Sequence, residues 1–403
     1  MRPSRNAVEY HLLVLVTLGL VAFGLVMVYS ASSARAMLAA GDPAYYLKRQ
    51  ALNALVGLAV LLVLSRVDLR LPRRLAGPLL AASVALLVAV LVIGTEVKGA
   101  KRWIGLGAFE FQPSELAKLA LALWVAAVLA ARPAPRSLAE LVRPVGLVAG
   151  LVCALVLIEP DLGTAIAIGI MVVAMLVVAG TPLRTLAGVG VISLLGIAAA
   201  ILIEPYRRVR LLSFLDPWSD AEGAGFQTVQ AMIALGSGGL FGVGLGQSVQ
   251  KANYLPEAST DMIFAIVGEE LGLVGAAALI AAFAVFGYAG FNVALRTADP
   301  FKKCLAAGLT ALLCGQAAVN LCAVLGLAPL TGIPLPFVSY GGSSLVVTLA
   351  SVGLLLNIAV NHGVDAALVR DRGRRDRRPR AARSRDRGVA AQPRRRRDVR
   401  RSA

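Results

Sequence analysis

The side chains best placed to do chemistry lie in a few polar segments that interrupt an otherwise apolar sequence. Asp261 comes directly before the apolar run MIFAIV, so its carboxylate lies at the edge of a low-dielectric wall, a position that suits a general base. Upstream, PYRRVRLLSFLDPW (205–218) contains Arg208 and Arg210. Guanidinium groups match phosphate oxygens with paired hydrogen bonds. Together the two segments predict proton abstraction beside a bound anion such as a pyrophosphate.

Each of these groups also has a structural explanation. Asp261 is predicted to open a helix that Ser259 or Thr260 would cap, and a carboxylate at a helix N-terminus is stabilised by the helix dipole. The arginines would equally contact lipid headgroups. Both explanations stay open at the level of sequence.

Two further segments place ionisable groups close together. KGAKRWIGLGAFEFQPSELAK (98–118) starts a helix at Pro113, which puts Glu115 and Lys118 one turn apart on one helix face. This pair either locks helix packing as an internal ion pair or supplies a cation that helps to hold an anionic substrate. IEPDLGTA (158–165) has two acidic residues, and a simple tight turn explains it.

The elements that must position these groups are membrane helices. Hydrophobic residues make up 58% of the 403 residues, and the mean hydropathy is +0.76. A soluble domain of this length could not bury so much apolar surface. Apolar stretches of roughly 20 residues, enough to cross a bilayer, therefore predict an all-α polytopic membrane protein with about ten transmembrane helices. They lie near 11–31, 49–65, 75–94, 113–131, 142–158, 162–180, 185–203, 261–290, 304–327 and 343–361.

Lysine and arginine in the short loops predict the orientation of these helices. Thirteen of them lie on the side of the N-terminus and six on the opposite side, so both termini are predicted to be cytoplasmic. Residues 204–260 then form a large extracytoplasmic loop between helices 7 and 8, in which 225–236 predicts a short interfacial helix. Both histidines, His11 and His362, fall on the cytoplasmic side, so a base at the outer face must be another group.

The chain is predicted to have three regions: a cytoplasmic N-terminus (1–10), a transmembrane domain (11–362) and a cytoplasmic tail (363–403). Residues 364–403 contain sixteen arginines and five aspartates and so carry +11 of the net charge of +17. The tail has too few apolar residues to fold alone, and we predict that it is disordered. We assign it to attraction to anionic lipid rather than to nucleic acid. The four cysteines lie in apolar runs without a CxxC pair, which disfavours zinc or redox roles.

Several motifs, in this order along the chain, resemble one known family. They are GLVMVYSASS (24–33), KRWIGLG and FQPSELAKLAL (within 101–121), EPDLGTA (159–165), PYRRVRLLSFLDPW (205–218), GFQTVQAMIALGSGGLFGVGLGQSVQK (225–251), NYLPEASTDMIFAIVGEELGLVG (253–275) and GIPLPFVSYGGSSL (332–345). Together they resemble the SEDS family, named for shape, elongation, division and sporulation, from about residue 10 to 362. They resemble its division branch more than its elongation branch.

The resemblance implies a peptidoglycan glycosyltransferase that polymerises lipid II at the outer face of the cytoplasmic membrane during septal cell-wall synthesis. Lipid II is a disaccharide-pentapeptide carried on undecaprenyl pyrophosphate. The family's catalytic aspartate maps onto Asp261, and its basic positions map onto Lys118, Arg208 and Arg210. The full set of predicted substrate-binding residues is Lys118, Glu115, Arg208, Arg210 and Lys251.

A single base without a second carboxylate nucleophile favours direct displacement with inversion. Arginine, lysine or a divalent cation would stabilise the charge that grows on the leaving pyrophosphate. No cofactor is predicted to be obligatory; Mg²⁺ or Mn²⁺ is the candidate metal, without assigned ligands.

The resemblance further implies a class B penicillin-binding protein, other septal division proteins and membrane lipids as partners. Two alternatives to the polymerase are a lipid II flippase and a scaffold without chemistry. A flippase should present cations near the bilayer midplane, whereas the charged segments here concentrate at the outer face. A scaffold leaves Asp261 and the arginines without a role.

Overall fold

The computed structural model describes residues 5–97, 100–106, 109–251 and 255–376, and within them it has thirteen α-helices and one small sheet. The elements are α1 (Arg5–Ala40), α2 (Tyr45–Leu64), α3 (Arg70–Ile93), β1 (Thr95–Val97), β2 (Ala100–Leu106), β3 (Phe109–Phe111), α4 (Pro113–Ala131), α5 (Leu138–Leu141), α6 (Leu147–Ile158), α7 (Leu162–Ala179), α8 (Leu183–Ile203), α9 (Pro205–Leu215), α10 (Phe226–Ser237), α11 (Ile263–Arg296), α12 (Pro300–Val324) and α13 (Gly342–Asp376). A π-helical turn, Val142–Gly146, joins α5 to α6.

Ten spans in the described residues are long and apolar enough to cross a membrane, with α5 and α6 forming one of them. The predicted number and order of membrane helices are therefore confirmed. The interfacial helix predicted at 225–236 corresponds to α10. The chain divides into two compact units, residues 1–362 and 363–403. Of the predicted tail, α13 includes residues up to Asp376, and the remainder lies outside the described residues.

Side chains and prolines fix where several helices begin. The Asp161 carboxylate accepts a hydrogen bond from the Thr164 amide at 2.9 Å and caps α7. Asp299 caps α12 in the same way by accepting from the Lys302 amide at 2.9 Å. Pro113 occupies the first turn of α4, where a missing N–H costs nothing. These caps hold the ends of the helices that surround the polar segments.

Burial divides the helices into a centre and a flank. In their most apolar stretches α12 is 78% buried, α13 72% and α4 67%, whereas α8 is only 6% buried. The central α12 packs against α4, α7 and α11, while α8 contacts chiefly α7 and α9. The centre therefore offers rigid attachment for polar groups, and α8 presents most of its surface to lipid.

Helix α11 is broken at Gly272, which has a φ of 64°. The carbonyls of Glu269 and Glu270 accept hydrogen bonds at 3.0 Å from the amides of Val243 and Gly244 in the preceding loop. A Cβ on Gly272 would lie 2.4 Å from a backbone nitrogen of that loop, so only glycine fits. This loop, residues 238–251, which we call the glycine-rich loop, is thus packed against the break in α11. Its amides satisfy the carbonyls that the break exposes.

A short antiparallel sheet, in the order β1-β2-β3, fills the connection from α3 to α4. Glu96 pairs with Lys101 across β1 and β2, and Ile104 pairs with Phe111 across β2 and β3. Hydropathy predicts no strands here, because a short hairpin contains no long apolar stretch. The sheet extends the all-α bundle at one end without changing its class.

Candidate active site

The predicted site segments meet at one end of the bundle. This end, which we call the loop face, consists of residues 94–97, 100–106, 109–112, 159–161, 204–251, 255–262 and 325–341. Hydrogen bonds join its segments: the Tyr340 amide donates to the Ser259 carbonyl at 2.8 Å. The loop face therefore brings together segments that are far apart in sequence.

Asp261 lies in a turn immediately before α11. The helix begins at Ile263 with Met262 as its N-cap and without a side-chain cap, so the prediction that Asp261 opens a helix capped by Ser259 or Thr260 is wrong. The physical reason is that the 257–262 segment closes on itself, with the Met262 amide donating to the Glu257 carbonyl at 3.2 Å. The N-cap of α11 is thus Met262 rather than Ser259 or Thr260, which weakens the capping explanation.

The side chain and backbone of Asp261 are each held by a neighbour. Thr260 Oγ1, which also lies 2.8 Å from Glu257 Oε2, lies 3.2 Å from Asp261 Oδ1, and Asn320 Nδ2 donates to the Asp261 carbonyl at 2.8 Å. The residue is partly exposed. A carboxylate that is fixed in position and open to solvent has the geometry of a general base.

Arg210 reaches the same place from α9. Its Nη1 donates to the Leu330 carbonyl at 3.1 Å, and its guanidinium lies 4.6 Å from the centre of the Tyr206 ring. A Cβ built on Gly332 would lie 3.9 Å from Asp261 Oδ2 and 4.0 Å from Arg210 Nη1. The structure therefore brings Asp261 and Arg210 together across Gly332, which has the positive φ of 73° that favours glycine.

The neighbouring arginines point elsewhere. Arg208 is exposed, as expected two residues away from Arg210 on a helix. Arg207 donates to the carbonyls of Ala200 at 3.0 Å and Leu157 at 2.7 Å, and so ties α9 to α8 and α6. Of the two arginines predicted to bind substrate, the structure places Arg210 beside Asp261 and Arg208 on the exposed face of α9.

An apolar cavity of about 480 Å³ opens next to Arg210. It lies between α7, α8, α9, α12 and the loop after α12, and is lined by Pro160, Leu162, Ile166, Ile197, Ile201, Tyr206, Arg207, Arg210, Leu211, Ala318, Val319, Cys322, Ala328, Pro329, Leu330 and Thr331. Within the described part of the chain, Arg207 Nε and Thr331 Oγ1 are buried without hydrogen-bond partners. Such a cavity suits a ligand with an apolar chain and an anionic head.

Lys118 and Glu115 form a buried ion pair. Lys118 Nζ lies 3.0 Å from Glu115 Oε1, and the two side chains are 3% and 4% exposed. Lys118 also donates to Gln316 Oε1 at 2.9 Å. The internal pair that the sequence left as one alternative is thus present, and a direct substrate contact by either residue stays a prediction.

Lys251 is also held internally. Its Nζ lies 2.8 Å from Glu270 Oε1 and 3.3 Å from Ser30 Oγ, which itself donates to Glu270. Glu269 accepts from the Val249 amide at 2.9 Å and from the Ser248 hydroxyl. These contacts connect the glycine-rich loop to α11 and α1, and the substrate-binding role of Lys251 stays a prediction.

Glu159 is a buried acid in the turn between α6 and α7. Arg102 of β2 donates to the carbonyls of Glu159 and Pro160, both at 2.6 Å, and so clamps the sheet onto this turn. The Glu159 carboxylate oxygens are buried without partners among the described residues. Burial raises the pKa of Glu159 to about 8, helped by the charge of Asp161 and opposed by that of Arg102. The raised pKa therefore favours the protonated form of the Glu159 carboxyl group in the predicted tight turn at neutral pH.

No group of three or more His, Cys, Asp or Glu side chains in the described residues is arranged to hold a metal ion. A divalent cation at the pyrophosphate position stays a prediction.

Comparison with known proteins places the chain in a family. The family model described as "Cell cycle protein" (FTSW_RODA_SPOVE) matches residues 10–363. The chain belongs to the SEDS family. A relative from Geobacter metallireducens, named "Probable peptidoglycan glycosyltransferase FtsW", is 43% identical over 86% of this chain and 93% of its own length. A Mycobacterium tuberculosis protein of the same name is 42% identical over 93% of this chain and 72% of its own length.

Solved structures agree with this SEDS assignment. A chain described under "Structural coordination of polymerization and crosslinking by a peptidoglycan synthase complex" has a TM-score of 0.73 and 34% identity, covering 87% of this chain and 97% of that one. The rod shape determining protein RodA of Thermus thermophilus has a TM-score of 0.64 and 33% identity, covering 87% and 96%. The predicted family, its division branch and the polytopic helical fold are confirmed.

Sequence reasoning missed three members of this SEDS site: Gln316 and Asn320 of α12, and Gly332. The two amides were visible as polar interruptions of an apolar helix, a signal of function in a membrane span. Gly332 begins the motif GIPLPFVSYGGSSL, but its place beside Asp261 and Arg210 depends on segments that only the fold brings together.

Proposed function

We propose that this SEDS protein is a peptidoglycan glycosyltransferase that polymerises lipid II, with Asp261 as its base. The observation that carries the proposal is the meeting of Asp261 and Arg210 across Gly332, beside an apolar cavity of about 480 Å³. Glycosyl transfer from a polyprenyl pyrophosphate needs a base for the acceptor hydroxyl, a cation for the leaving pyrophosphate and an apolar cavity for the polyprenyl chain. The names of the relatives support the same activity.

In the proposed reaction the acceptor sugar hydroxyl gives its proton to the Asp261 carboxylate as its oxygen attacks the donor's anomeric carbon. A new C–O bond forms there, while the C–O bond to the pyrophosphate breaks with its electron pair leaving on the phosphate oxygen. Arg210 stabilises that growing charge. Attack and departure on opposite faces invert the anomeric centre.

The cavity supplies binding for the polyprenyl chain. Its walls are mostly apolar, while Arg207 and Arg210 lie in its lining. An apolar chain held between α7 and α8 would bring its pyrophosphate head to Arg210 without leaving the membrane. Because the chain moves from lipid rather than from water, its burial adds little hydrophobic driving force, and packing against the cavity walls positions the donor. Mg²⁺ or Mn²⁺ would neutralise pyrophosphate charge, and no step here depends on it.

Partners and location follow from the activity. The protein is a multi-pass membrane protein, and we place it in the cytoplasmic membrane at the division septum, with both termini in the cytoplasm. We propose a class B penicillin-binding protein as the transpeptidase partner, along with other septal proteins. One structural neighbour comes from a peptidoglycan synthase complex, which supports this pairing.

The test is polymerisation of purified lipid II by the isolated chain, alone and with its class B penicillin-binding protein. We expect slow synthesis alone and faster synthesis with the partner. A chain that moves lipid II across vesicle membranes but makes no polymer, even in a verified partner complex, would support the flippase instead. In parallel, Ala224→Cys should react with a membrane-impermeant reagent from outside; protection there would contradict the topology.

A further inference from the structure

Two amide side chains of α12 face the loop that carries Gly332. Gln316 and Asn320 are each 2% exposed and lie four residues apart, so they share one helix face. Gln316 Nε2 donates to the Pro334 carbonyl at 3.0 Å, and Asn320 Nδ2 donates to the Ile333 carbonyl at 2.8 Å. Polar groups are costly in a membrane-spanning helix. Here they hold the backbone of the residues that follow Gly332.

Asn320 also contacts the backbone of Asp261, the proposed base. The same Nδ2 donates to the Asp261 carbonyl at 2.8 Å, so the amide uses both of its hydrogens to join Asp261 to Ile333. Its Oδ1 is buried without a partner among the described residues. The side chain therefore acts through its two donors, which link Asp261 to the loop that separates it from Arg210.

Gln316 extends this connection to α4. Its Oε1 accepts from Lys118 Nζ at 2.9 Å, and Lys118 is paired with Glu115. The buried ion pair thus orients the Gln316 amide, which in turn holds the Pro334 carbonyl. Pro334 lacks an N–H, and within the described residues backbone hydrogen bonds of the same loop begin only further along, such as that from the Tyr340 amide to the Ser259 carbonyl.

We propose that Asn320 is a positioning residue for the reaction, which keeps Asp261 at its distance from Gly332 and Arg210. This inference rests on the proposed function. A misplacement of about 1 Å can lower a rate by about a hundredfold, so losing both hydrogen bonds should slow the chemical step. Lipid II binding should change little, because Asn320 is not among the residues that line the cavity.

The chain contains a matched control in Asn357 of α13. It is 1% exposed, and its Nδ2 donates to the carbonyls of Leu64 at 2.9 Å and Val67 at 2.7 Å, at the opposite end of the bundle from the loop face. Replacing Asn357 with alanine likewise removes a buried amide that donates to two backbone carbonyls, again from a membrane-spanning helix. Asn357→Ala therefore measures the structural cost of losing such an amide without disturbing Asp261.

The experiment compares Asn320→Ala, Asn320→Ser and Asn357→Ala in the full-length chain with its class B partner. We measure kcat and KM for purified lipid II, and amide hydrogen exchange over 255–262 and 329–340. Asn320→Ala should lower kcat at least tenfold more than Asn357→Ala, with KM within about threefold of wild type. Exchange should rise in both segments in Asn320→Ala only. Asn320→Ser keeps one donor and should lie between, and it replaces the alanine variant if that fails to fold.

Equal kcat values in the variants at 320 and 357, with an active wild type, would overturn this inference and leave the proposed function standing. A rise in KM without a fall in kcat would overturn it too, because Asn320 would then act in binding. A wild-type complex that makes no polymer would overturn the proposed function itself.

Discussion

The two sides of the candidate active site differ in how firmly the protein holds them. The base side is attached to the buried centre, because the Asp261 carbonyl accepts a hydrogen bond from Asn320 of α12. The apolar stretch of α12 is 78% buried. The cation side lies on the flank: Arg210 belongs to α9, which has no buried residue and follows α8, only 6% buried. One half of the site is therefore built into the core, and the other half is attached to a lipid-facing helix.

This difference matches the demands of the proposed reaction. A general base must be held to a fraction of an ångström relative to the attacking hydroxyl. The pyrophosphate and its long chain must instead enter from the membrane and leave after each transfer, which is easier beside a peripheral helix such as α8. The following predictions test the distinction between a fixed base side and a peripheral cation side.

The largest effect on stability is expected from the buried pair behind the base. Lys118→Met leaves the Glu115 carboxylate buried without its cation, which typically costs about 3–5 kcal/mol. The double variant Lys118→Met/Glu115→Gln removes both charges and should recover most of that loss in thermal unfolding. If the double variant folds but does not polymerise, the pair serves the reaction, by substrate contact or through Gln316; if it retains turnover, the pair is structural. A stable Lys118→Met single variant would contradict the buried ion pair.

On the cation side, Arg210→Ala should lower turnover tenfold or more, because losing a charge-assisted hydrogen bond costs about 1.5–3 kcal/mol. Arg208→Ala, from the exposed face of the same helix, should cause a smaller loss. Steady-state kinetics on purified lipid II measure both. Equal wild-type kinetics from the two variants would leave only lipid-headgroup contact for these arginines.

Gly332 lies between the two sides, and Gly332→Ala should lower both the stability and the turnover slightly. A side chain at a φ of 73° is strained by roughly 1–2 kcal/mol, and its Cβ would lie against both Asp261 and Arg210. Gly41→Ala is the matched control, with a φ of 67° and nothing within 4 Å of its Cβ. Both should lose similar stability in thermal unfolding, but only Gly332→Ala should lose turnover. Equal turnover would show that the site does not include Gly332.

The smallest expected effect is a pH dependence from Glu159. Because its pKa is raised to about 8 in the folded chain from an ordinary 4.5, the native state keeps a proton that the unfolded state releases. Stability should therefore fall as pH rises from about 4.5 to about 8. Glu159→Gln removes this loss and should therefore be more stable than the wild type at pH 8.5, with no gain near pH 4.5. A gain that does not vary with pH would contradict the assignment.

Sequence alone predicted the helices well because a bilayer demands long apolar stretches, and these are legible without tertiary contacts. It also selected Asp261 and Arg210, since ionisable groups beside apolar runs stand out. It did not find the β1–β3 sheet or the start of α11 at Ile263. Both depend on local turns and on hydrogen bonds between segments of the chain rather than on hydropathy.

Part of the support of the site was beyond sequence reasoning for a related reason. The spacing of Glu115 and Lys118 already indicated an internal ion pair, which the structure has, whereas Lys251 looked like a lone cation and yet is paired with Glu270. The Lys251–Glu270 pair joins residues 19 positions apart, one in the loop before α11 and the other within α11. No spacing rule for regular helices predicts such a contact.

The most direct test of the account is polymerisation of lipid II by purified Asp261→Asn in complex with the class B partner. Asparagine keeps the size of the side chain but cannot accept the proton. We expect normal folding and partner binding, with polymerisation reduced by about a hundredfold or more, the usual scale for loss of a general base. Polymerisation by Asp261→Asn at the wild-type rate would show that the base lies elsewhere.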